Sequence, residues 1–542
     1  MNGSDGLGDS EDRRVIDLSL DGAGGEPRPE GPSGEENLID WPVRVGDPPR
    51  RAEAFQERPG PQAVIDEALS RGVVAVVATS SSAPGGTQLA LGSFETACRS
   101  GTDLTLWVPA GSRESVLSTY ALARTATTPG ATAAPGRTVE RARAFLAWLT
   151  STDRTWLVVL DGVVEPDHLR NLWPSGPHGK VIVTTRRPEV AARGQDHVIV
   201  RTGPFEPAES LSYLSTRLGT VGGLPVGVLD GACELAEDLG RLPSALAQAA
   251  TVVARGRTTC SGYRQLLAQR ARSHDTWMPG ADVRAVPGGP GAGLSGGRPR
   301  SEPDVDRRLL AASCLLAMER ATEQDPAGPL PRLLRLIAVL DPAGIPENLL
   351  TCVPIRVGLL PGPGPRAGRW STLKHQLRTA ARIGAHEVSP AAVRQALWQL
   401  HRFHLVDHDP DVGVVRCGAL TRQVVLGLLE TPERAVLVRL AADALDTTWP
   451  DNETDPVLGR MLRSNASTLI SADPQTLWLP RPHPVLALLG RSLAEVGLAG
   501  EAADHLRRLA EVAAELMGPD HPDVVRIRQE IGEGSAPGAG RS

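Results

Sequence analysis

Mostly apolar runs alternate with amphipathic segments along the first part of the chain. Five such runs are residues 72–78, 104–108, 156–160, 181–185 and 197–201. Runs of this length that are rich in β-branched residues are typical of strands buried on both faces of a parallel sheet. The segments between them have helical spacing, for example at 87–98 and 138–150. The alternation predicts a doubly wound α/β domain over about 70–205.

Helical periodicity replaces this alternation from residue 206 onward. Ser389 and Pro390 form an N-cap followed by proline at the first helical position. The predicted helix places Val393, Leu397 and Leu400 on one face, and two short strands follow it. A helix followed by a β-hairpin is the pattern of a winged helix. The last hundred residues are again helical in spacing.

Changes of composition divide the chain into seven predicted segments. They are a disordered acidic arm (1–50), an α/β domain (51–205), a helical subdomain (206–278), a flexible linker (279–303), a winged-helix-like domain (304–430), a helical C-terminal region (431–532) and a disordered tail (533–542). The predicted fold class is multidomain α/β plus α.

Composition and charge exclude several classes of protein. No run of 18 apolar residues exists, and the start of the chain is acidic rather than basic and apolar, so we expect no membrane segment and a cytoplasmic location. The six cysteines are scattered, without a CxxC pair, which argues against a zinc site or a disulfide framework. The formal net charge is −6, so DNA binding is not expected.

Candidate chemistry follows the strand at 72–78, at residues 80–87. A phosphate-binding loop has the pattern GxxxxGK followed by Ser or Thr, in which backbone N–H groups and the lysine hold phosphates and the hydroxyl binds Mg²⁺. Gly85 and Thr87 match this pattern, whereas Ser80 replaces its first glycine and Gly86 replaces its lysine. The match by itself is weak.

Further motifs follow this loop in order, and together they resemble the NB-ARC proteins of the STAND group of signalling NTPases. The form they resemble carries tetratricopeptide repeats, and the dominance of Arg over Lys suggests an actinobacterial type. The matching segments are 55–58, 80–90, 106–110, 156–161, 181–186, 235–246 and 341–346, and segments 496–502 and 516–522 are similar to a tetratricopeptide unit.

The resemblance implies a P-loop NTPase-like domain that binds ADP or ATP with Mg²⁺. The residues it places at the nucleotide are Ser80, Gly85, Gly86, Thr87, Asp161, Arg186 and Pro243, of which Thr87 and Asp161 would face the metal. No residue is assigned a catalytic role. The resemblance also implies a protein partner for the C-terminal repeats, and it leaves homo-oligomer formation open.

Four positions depart from the family pattern and argue for a degenerate loop. Gly86 lacks the ammonium group, Pro84 lacks a backbone N–H, Gly162 stands where the family has an acid or amide, and Gly418 stands where it has a histidine that contacts the diphosphate. Losing the lysine and the histidine weakens nucleotide binding by roughly 10²- to 10⁴-fold.

Three functions are therefore weighed. The first is a signalling or regulatory scaffold of impaired nucleotide binding and hydrolysis, a pseudo-ATPase that acts through protein contacts. The second is an active ATP/ADP-dependent switch. The third is a winged-helix DNA-binding regulator that would use Arg394, Arg402 and Arg416.

Overall fold

A sheet of six parallel strands forms the centre of the first half of the molecule. The structure, a computed structural model, describes residues 39–79, 85–129, 137–187, 196–219, 222, 224–273, 307–323, 326, 328–360, 387–479, 481–522 and 524–526. The strands are β1 (Val43–Val45), β2 (Val74–Thr79), β3 (Leu104–Pro109), β4 (Trp156–Val163), β5 (Gly179–Thr185) and β6 (His197–Thr202), in the spatial order β1-β3-β4-β5-β2-β6. The predicted doubly wound sheet is confirmed.

Helices cover both faces of this sheet. They are α1 (Pro59–Ser70), α2 (Gly86–Arg99), α3 (Arg113–Ala126) and α4 (Thr138–Ser151). Neighbouring residues of one strand point to opposite faces. Accordingly, Val77 and Val159 pack in the cluster with the buried residues of α1 and α2, whereas Val76 and Val158 pack in the cluster that contains Tyr120 of α3. Burial on both faces explains why these strands are continuous apolar runs.

The predicted disordered arm at 1–50 is wrong in its last part. Val43 is 7% exposed, and β1 pairs with β3 through Val43 and Leu104. A strand of three residues at the edge of a sheet is too short to produce a periodic pattern. Residues 39–50 therefore belong to the folded unit, and residues 1–38 lie outside the described part of the chain.

Helices dominate the second half of the molecule. They are α5 (Pro207–Gly219), α6 (Ala232–Asp238), α7 (Pro243–Gly256), α8 (Cys260–Ser273), α9 (Arg307–Glu323), α10 (Leu330–Val339), α11 (Glu347–Thr351), α12 (Val353–Gly358), α13 (Pro390–Arg402), α14 (Ala419–Leu428), α15 (Thr431–Thr448), α16 (Pro456–Ala472), α17 (Pro474–Trp478), α18 (Pro484–Glu495) and α19 (Ala499–Met517). No helix in the described part is long and apolar enough to cross a membrane.

The helix and hairpin predicted after Ser389 are present. The Ser389 hydroxyl accepts a hydrogen bond from the Ala392 N–H at 3.1 Å and caps α13. Strands β8 (Asp407–Asp409) and β9 (Val414–Arg416) follow, and β7 (Ile345–Pro346) pairs with β9, all antiparallel.

Helix α6 begins at Ala232, after Gly227 and Gly231, which adopt positive φ angles of 75° and 81°. The linker predicted at 279–303 and the tail predicted at 533–542 lie outside the described residues.

A buried charge network joins α3 to the C-terminal helices. Arg463 of α16 is 2% exposed and donates from Nε to the Glu114 carboxylate at 2.9 Å. Its Nη1 group donates to Glu453 and, at 2.9 Å, to the Ser492 hydroxyl of α18. Two buried carboxylates therefore share one guanidinium, and both lose a hydrogen-bonded cation if Arg463 is lost.

We expect Arg463→Ala to lower the free energy of unfolding by about 3–5 kcal/mol, because it removes the cation that is hydrogen-bonded to two buried carboxylates. The matched control is Arg507→Ala, which removes an exposed pair with Asp504 and should cost under about 1 kcal/mol. Denaturant unfolding measures both. Equal losses for the two variants would show that the network does not hold these helices in place.

A second polar contact joins α5 to the turn after α13. The Arg217 Nη2 group donates to Nε2 of His404 at 2.9 Å. Burial lowers the pKa of His404 to about 4, and the charge of Arg217 acts in the same direction. His404 is therefore a neutral acceptor at pH 7.

The stability that this contact contributes should depend on pH. Because the pKa of His404 is lower in the folded than in the unfolded chain, its contribution is complete above about pH 6.5 and is lost as the pH falls toward 4. Melting temperatures of the wild type should thus fall more steeply over this range than those of His404→Gln, whose amide accepts from Arg217 without titrating. Parallel pH profiles would contradict the assignment.

Candidate functional site

Three side chains meet at the carboxyl edge of the sheet. Thr87 lies in the first turn of α2, Asp161 lies in the last part of β4, and Thr184 lies in β5 between β4 and β2. The Thr87 hydroxyl donates to Asp161 Oδ1 at 2.8 Å, and the Thr184 hydroxyl donates to the same oxygen at 2.5 Å. The Gly162 N–H in turn donates to Thr184 Oγ1 at 2.8 Å. The predicted pair Thr87 and Asp161 is thus in direct contact.

The charge of Asp161 is set by opposing effects. Burial raises its pKa, while the two threonine hydroxyls and the positive charge of Arg416 oppose that rise. Arg416 belongs to β9 of the hairpin, so the second half of the molecule contributes to the electrostatics of this sheet edge. The charged form of Asp161 is therefore stabilised by the hydroxyl groups of Thr87 and Thr184 and by the charge of Arg416.

Gly86 packs tightly against the strand that precedes the loop. A Cβ atom at this position would lie 2.3 Å from Thr79 Cγ2 and 3.2 Å from Val77 Cγ1 of β2. At the neighbouring Gly85, a Cβ would meet no heavy atom of the described residues within 4 Å. A side chain at the position that corresponds to the P-loop lysine would therefore require the Thr79 side chain to rotate, or β2 or α2 to shift.

The other predicted residues stand apart from this cluster or outside the described residues. Ser80, like Pro84, lies outside them. Gly85 is the N-cap of α2, and Pro243 is the first residue of α7. Arg186 is exposed just beyond β5.

Sequence reasoning missed Thr184 and the effect of the Arg416 charge on the pKa of Asp161. Thr184 could have been found, because it lies at the end of the apolar run 181–185 and the carboxyl ends of parallel strands meet at one edge. Arg416 was named only as a DNA contact. No local pattern links residue 416 to residue 161.

The residues at the edge suit part of a Mg²⁺-nucleotide site. A hydroxyl and a carboxylate are oxygen ligands of the kind Mg²⁺ prefers, with water and phosphate oxygens completing its shell. Thr87 and Asp161 supply these two groups. Within the described ranges, no group of three or more His, Cys, Asp or Glu side chains could hold a metal by protein ligands alone. The phosphate side of the site, at Gly86, does not suit a lysine.

Comparisons with known proteins give likenesses in structure alone. No family model and no curated protein matches the chain. Among solved structures, a STAND protein with a tetratricopeptide repeat sensor from Pyrococcus horikoshii is 13% identical, with a TM-score of 0.42; the match covers 92% of this chain and 66% of that one. A STAND protein is thus among the similar structures, as the motifs led us to expect. This chain spans slightly less than two thirds of that protein's length.

Two further solved structures are also similar. A Walker-type ATPase of Pyrococcus abyssi is 12% identical with a TM-score of 0.29, over 70% of this chain and 98% of that one. The ORC1 protein of Aeropyrum pernix, solved in complex with DNA, is 15% identical with a TM-score of 0.25, over 68% and 92%. With TM-scores below 0.5, these likenesses identify no activity, and the geometry of the site has to carry the functional argument.

We expect Gly86→Ala to be destabilising by about 1–3 kcal/mol, because its methyl group would overlap Thr79 Cγ2. Gly85→Ala is the matched control and should change stability much less, since its methyl group would meet no described atom within 4 Å. Combining Gly86→Ala with Thr79→Ser, which removes Cγ2, should restore part of the loss. Urea unfolding of the wild type and these three variants measures the differences, and equal effects of the two single alanine substitutions would contradict the packing described for Gly86.

Proposed function

We propose that this protein is a STAND-type regulatory scaffold that acts through protein contacts rather than through ATP turnover. The observation that carries the proposal is the packing of Gly86 against Thr79 and Val77 beside an otherwise well-formed Thr87–Asp161 pair. Thr87 and Asp161, which would bind the metal, are in contact. Gly86, at the position of the P-loop lysine, packs against β2.

Absence of the lysine is expected to prevent ATP turnover without preventing all ligand binding. Phosphoryl transfer depends on positive charge placed at the phosphates, and the P-loop lysine normally supplies it. Thr87 and Asp161 would hold Mg²⁺ through their oxygens, and the metal would neutralise phosphate charge. Gly85, with Ser80 and the N–H groups that open α2, would lie along the phosphates, while Arg186 and Pro243 would border the nucleotide. Binding without the lysine is expected to be weak.

The C-terminal helices support a role in protein contact. Among the described residues, α18 and α19 pack as a helical pair, in which His505 Nε2 lies 2.9 Å from the Leu486 carbonyl oxygen. The first of these helices, α18, is linked to the α/β domain through Arg463 of α16, which donates to both Ser492 and Glu114. A partner that binds these tetratricopeptide-like helices would therefore act on a surface already coupled to α3.

Contact between the two regions extends beyond that network. Arg113 of α3 lies 3.4 Å from the Glu501 carboxylate of α19. The Thr138 hydroxyl at the start of α4 donates to the carbonyl oxygen of Val496. If a partner displaced the C-terminal helices, these contacts would transmit the displacement directly to the α/β domain.

An active ATP/ADP switch is the second candidate, and the hydrogen bond between Thr87 and Asp161 favours it. DNA binding is not proposed. Arg394 pairs with Glu347 at 2.7 Å, Arg402 stacks on Trp398, and Arg416 lies near Asp407. The domain boundaries, the cytoplasmic location and homo-oligomer formation stay predictions from the sequence.

Purified full-length protein should release phosphate from MgATP no faster than Thr87→Ala or Asp161→Asn does, because the lysine charge required for transfer is missing. Thr96→Ala, a threonine on the exposed side of the same helix, is the control. Turnover that Thr87→Ala abolishes and Thr96→Ala retains would establish the switch in place of the scaffold.

A further inference from the structure

A short segment before α1 contacts both halves of the molecule. This segment, residues 50–53, forms a strap whose backbone is held by Gln88 of α2. The Gln88 Nε2 group donates to the Arg50 carbonyl oxygen at 2.9 Å, and the Ala52 N–H donates to Gln88 Oε1 at 2.8 Å. Because Gln88 follows Thr87, the strap is fixed to the first turn of the helix at the candidate site.

Arg50 joins the strap to the hairpin formed by β8 and β9. Its Nε atom donates to Asp409 Oδ2 at 2.7 Å, and its Nη2 atom lies 2.7 Å from Asp409 Oδ1. The Nη2 group also donates to Asp411. The guanidinium therefore meets Asp409 through two N–H groups at once, the geometry that makes an arginine–carboxylate pair strong and specific.

The carboxylate that binds Arg50 also shapes the turn of the hairpin. Asp409 Oδ1 accepts from the Asp411 N–H at 3.2 Å and from the Val412 N–H at 3.4 Å. In the antiparallel pair of β8 and β9, Asp409 lies opposite Val414. Arg50 is thus attached to a side chain that is itself fixed to the backbone of the hairpin.

Glu53, at the other end of the strap, approaches the same region from a second side. Its carboxylate pairs with Arg217 of α5. The Arg217 Nη2 group in turn lies 2.9 Å from Nε2 of His404, which shortly precedes β8 in sequence. The strap therefore contacts the hairpin directly through Arg50, and the turn before it through Glu53 and Arg217.

Arg51 has a different partner from its neighbour Arg50. Its Nη1 atom lies 3.8 Å from the Glu95 carboxylate of α2, and its guanidinium lies 4.2 Å from the centroid of the Phe55 ring. The side chains of Arg50 and Arg51 are equally exposed, at 48%. Two adjacent arginines of equal exposure thus bind opposite halves of the molecule, so one is a matched control for the other.

We propose that Arg50 is a latch that keeps the hairpin docked on the α/β domain in the absence of any ligand. Every group that forms the latch belongs to the chain, so docking does not require a nucleotide. Because the Arg50 side chain is half exposed, salt and competing charged groups have access to the pair. The latch favours the docked arrangement without making it permanent. It does not depend on the proposed scaffold function.

Amide hydrogen exchange of the full chain, freed of nucleotide, tests the latch. Arg50→Gln should raise the exchange rate of residues 407–416 by about 3- to 10-fold, because a two-pronged ion pair is lost. Arg50→Lys keeps the charge without the planar fork and should give an intermediate rate. Arg51→Gln removes the same charge and should leave this segment as in the wild type. Exchange across β4 should be unchanged in all variants, which verifies that they are folded.

Salt provides a readout that a purely structural hydrogen bond would not move. In the wild type, the exchange rate of residues 407–416 should rise between about 0.1 M and about 1 M NaCl, because screening weakens the pair. In Arg50→Gln the rate should be high at both concentrations and should change little. Arg51→Gln should follow the wild type.

Three results would overturn the latch. They are equal exchange of residues 407–416 in Arg50→Gln and Arg51→Gln, the same salt dependence in Arg50→Gln as in the wild type, and protection of this segment that appears only when MgADP is added. All three leave the scaffold standing, because ATP turnover tests that function separately. Conversely, Thr87-dependent ATP turnover would overturn the scaffold and leave the latch in place.

Discussion

One carboxylate oxygen holds together the carboxyl edge of the sheet. Asp161 of β4 accepts hydrogen bonds at Oδ1 from Thr87 of α2 and from Thr184 of β5. This oxygen atom therefore links β4 and β5 to α2, the helix that follows β2. This depends on the parallel register of β4 and β5, in which Leu160 lies opposite Val183. Because neighbouring parallel strands end at the same edge, each can place one polar side chain there.

The close approach of α2 to β2 gives this edge its particular chemistry. Gly86 lets the helix begin against Thr79 and Val77, with no side chain between them. Residue 86, where a P-loop has its lysine, carries no cation in this chain. Any positive charge at the phosphates of a ligand would have to come from another residue.

Sequence patterns predicted the parts of the molecule that local spacing controls. The apolar runs became strands because burial on both faces requires continuous apolar residues, and Ser389 capped its helix because the cap is a local hydrogen bond. Strand β1 was not predicted, because a segment of three residues is too short to show the alternation of polar and apolar positions. The pairing of Arg463 with Glu114 was not predicted, because the two residues lie 349 positions apart and local periodicity does not report such contacts.

The proposed scaffold requires weak nucleotide binding, because Gly86 supplies no cation for the phosphates. The most direct test is chromatographic analysis of the nucleotide released when the purified protein is denatured. Weak binding predicts far less than one equivalent per chain, because the ligand dissociates during purification. One equivalent of ADP per chain would contradict the proposal.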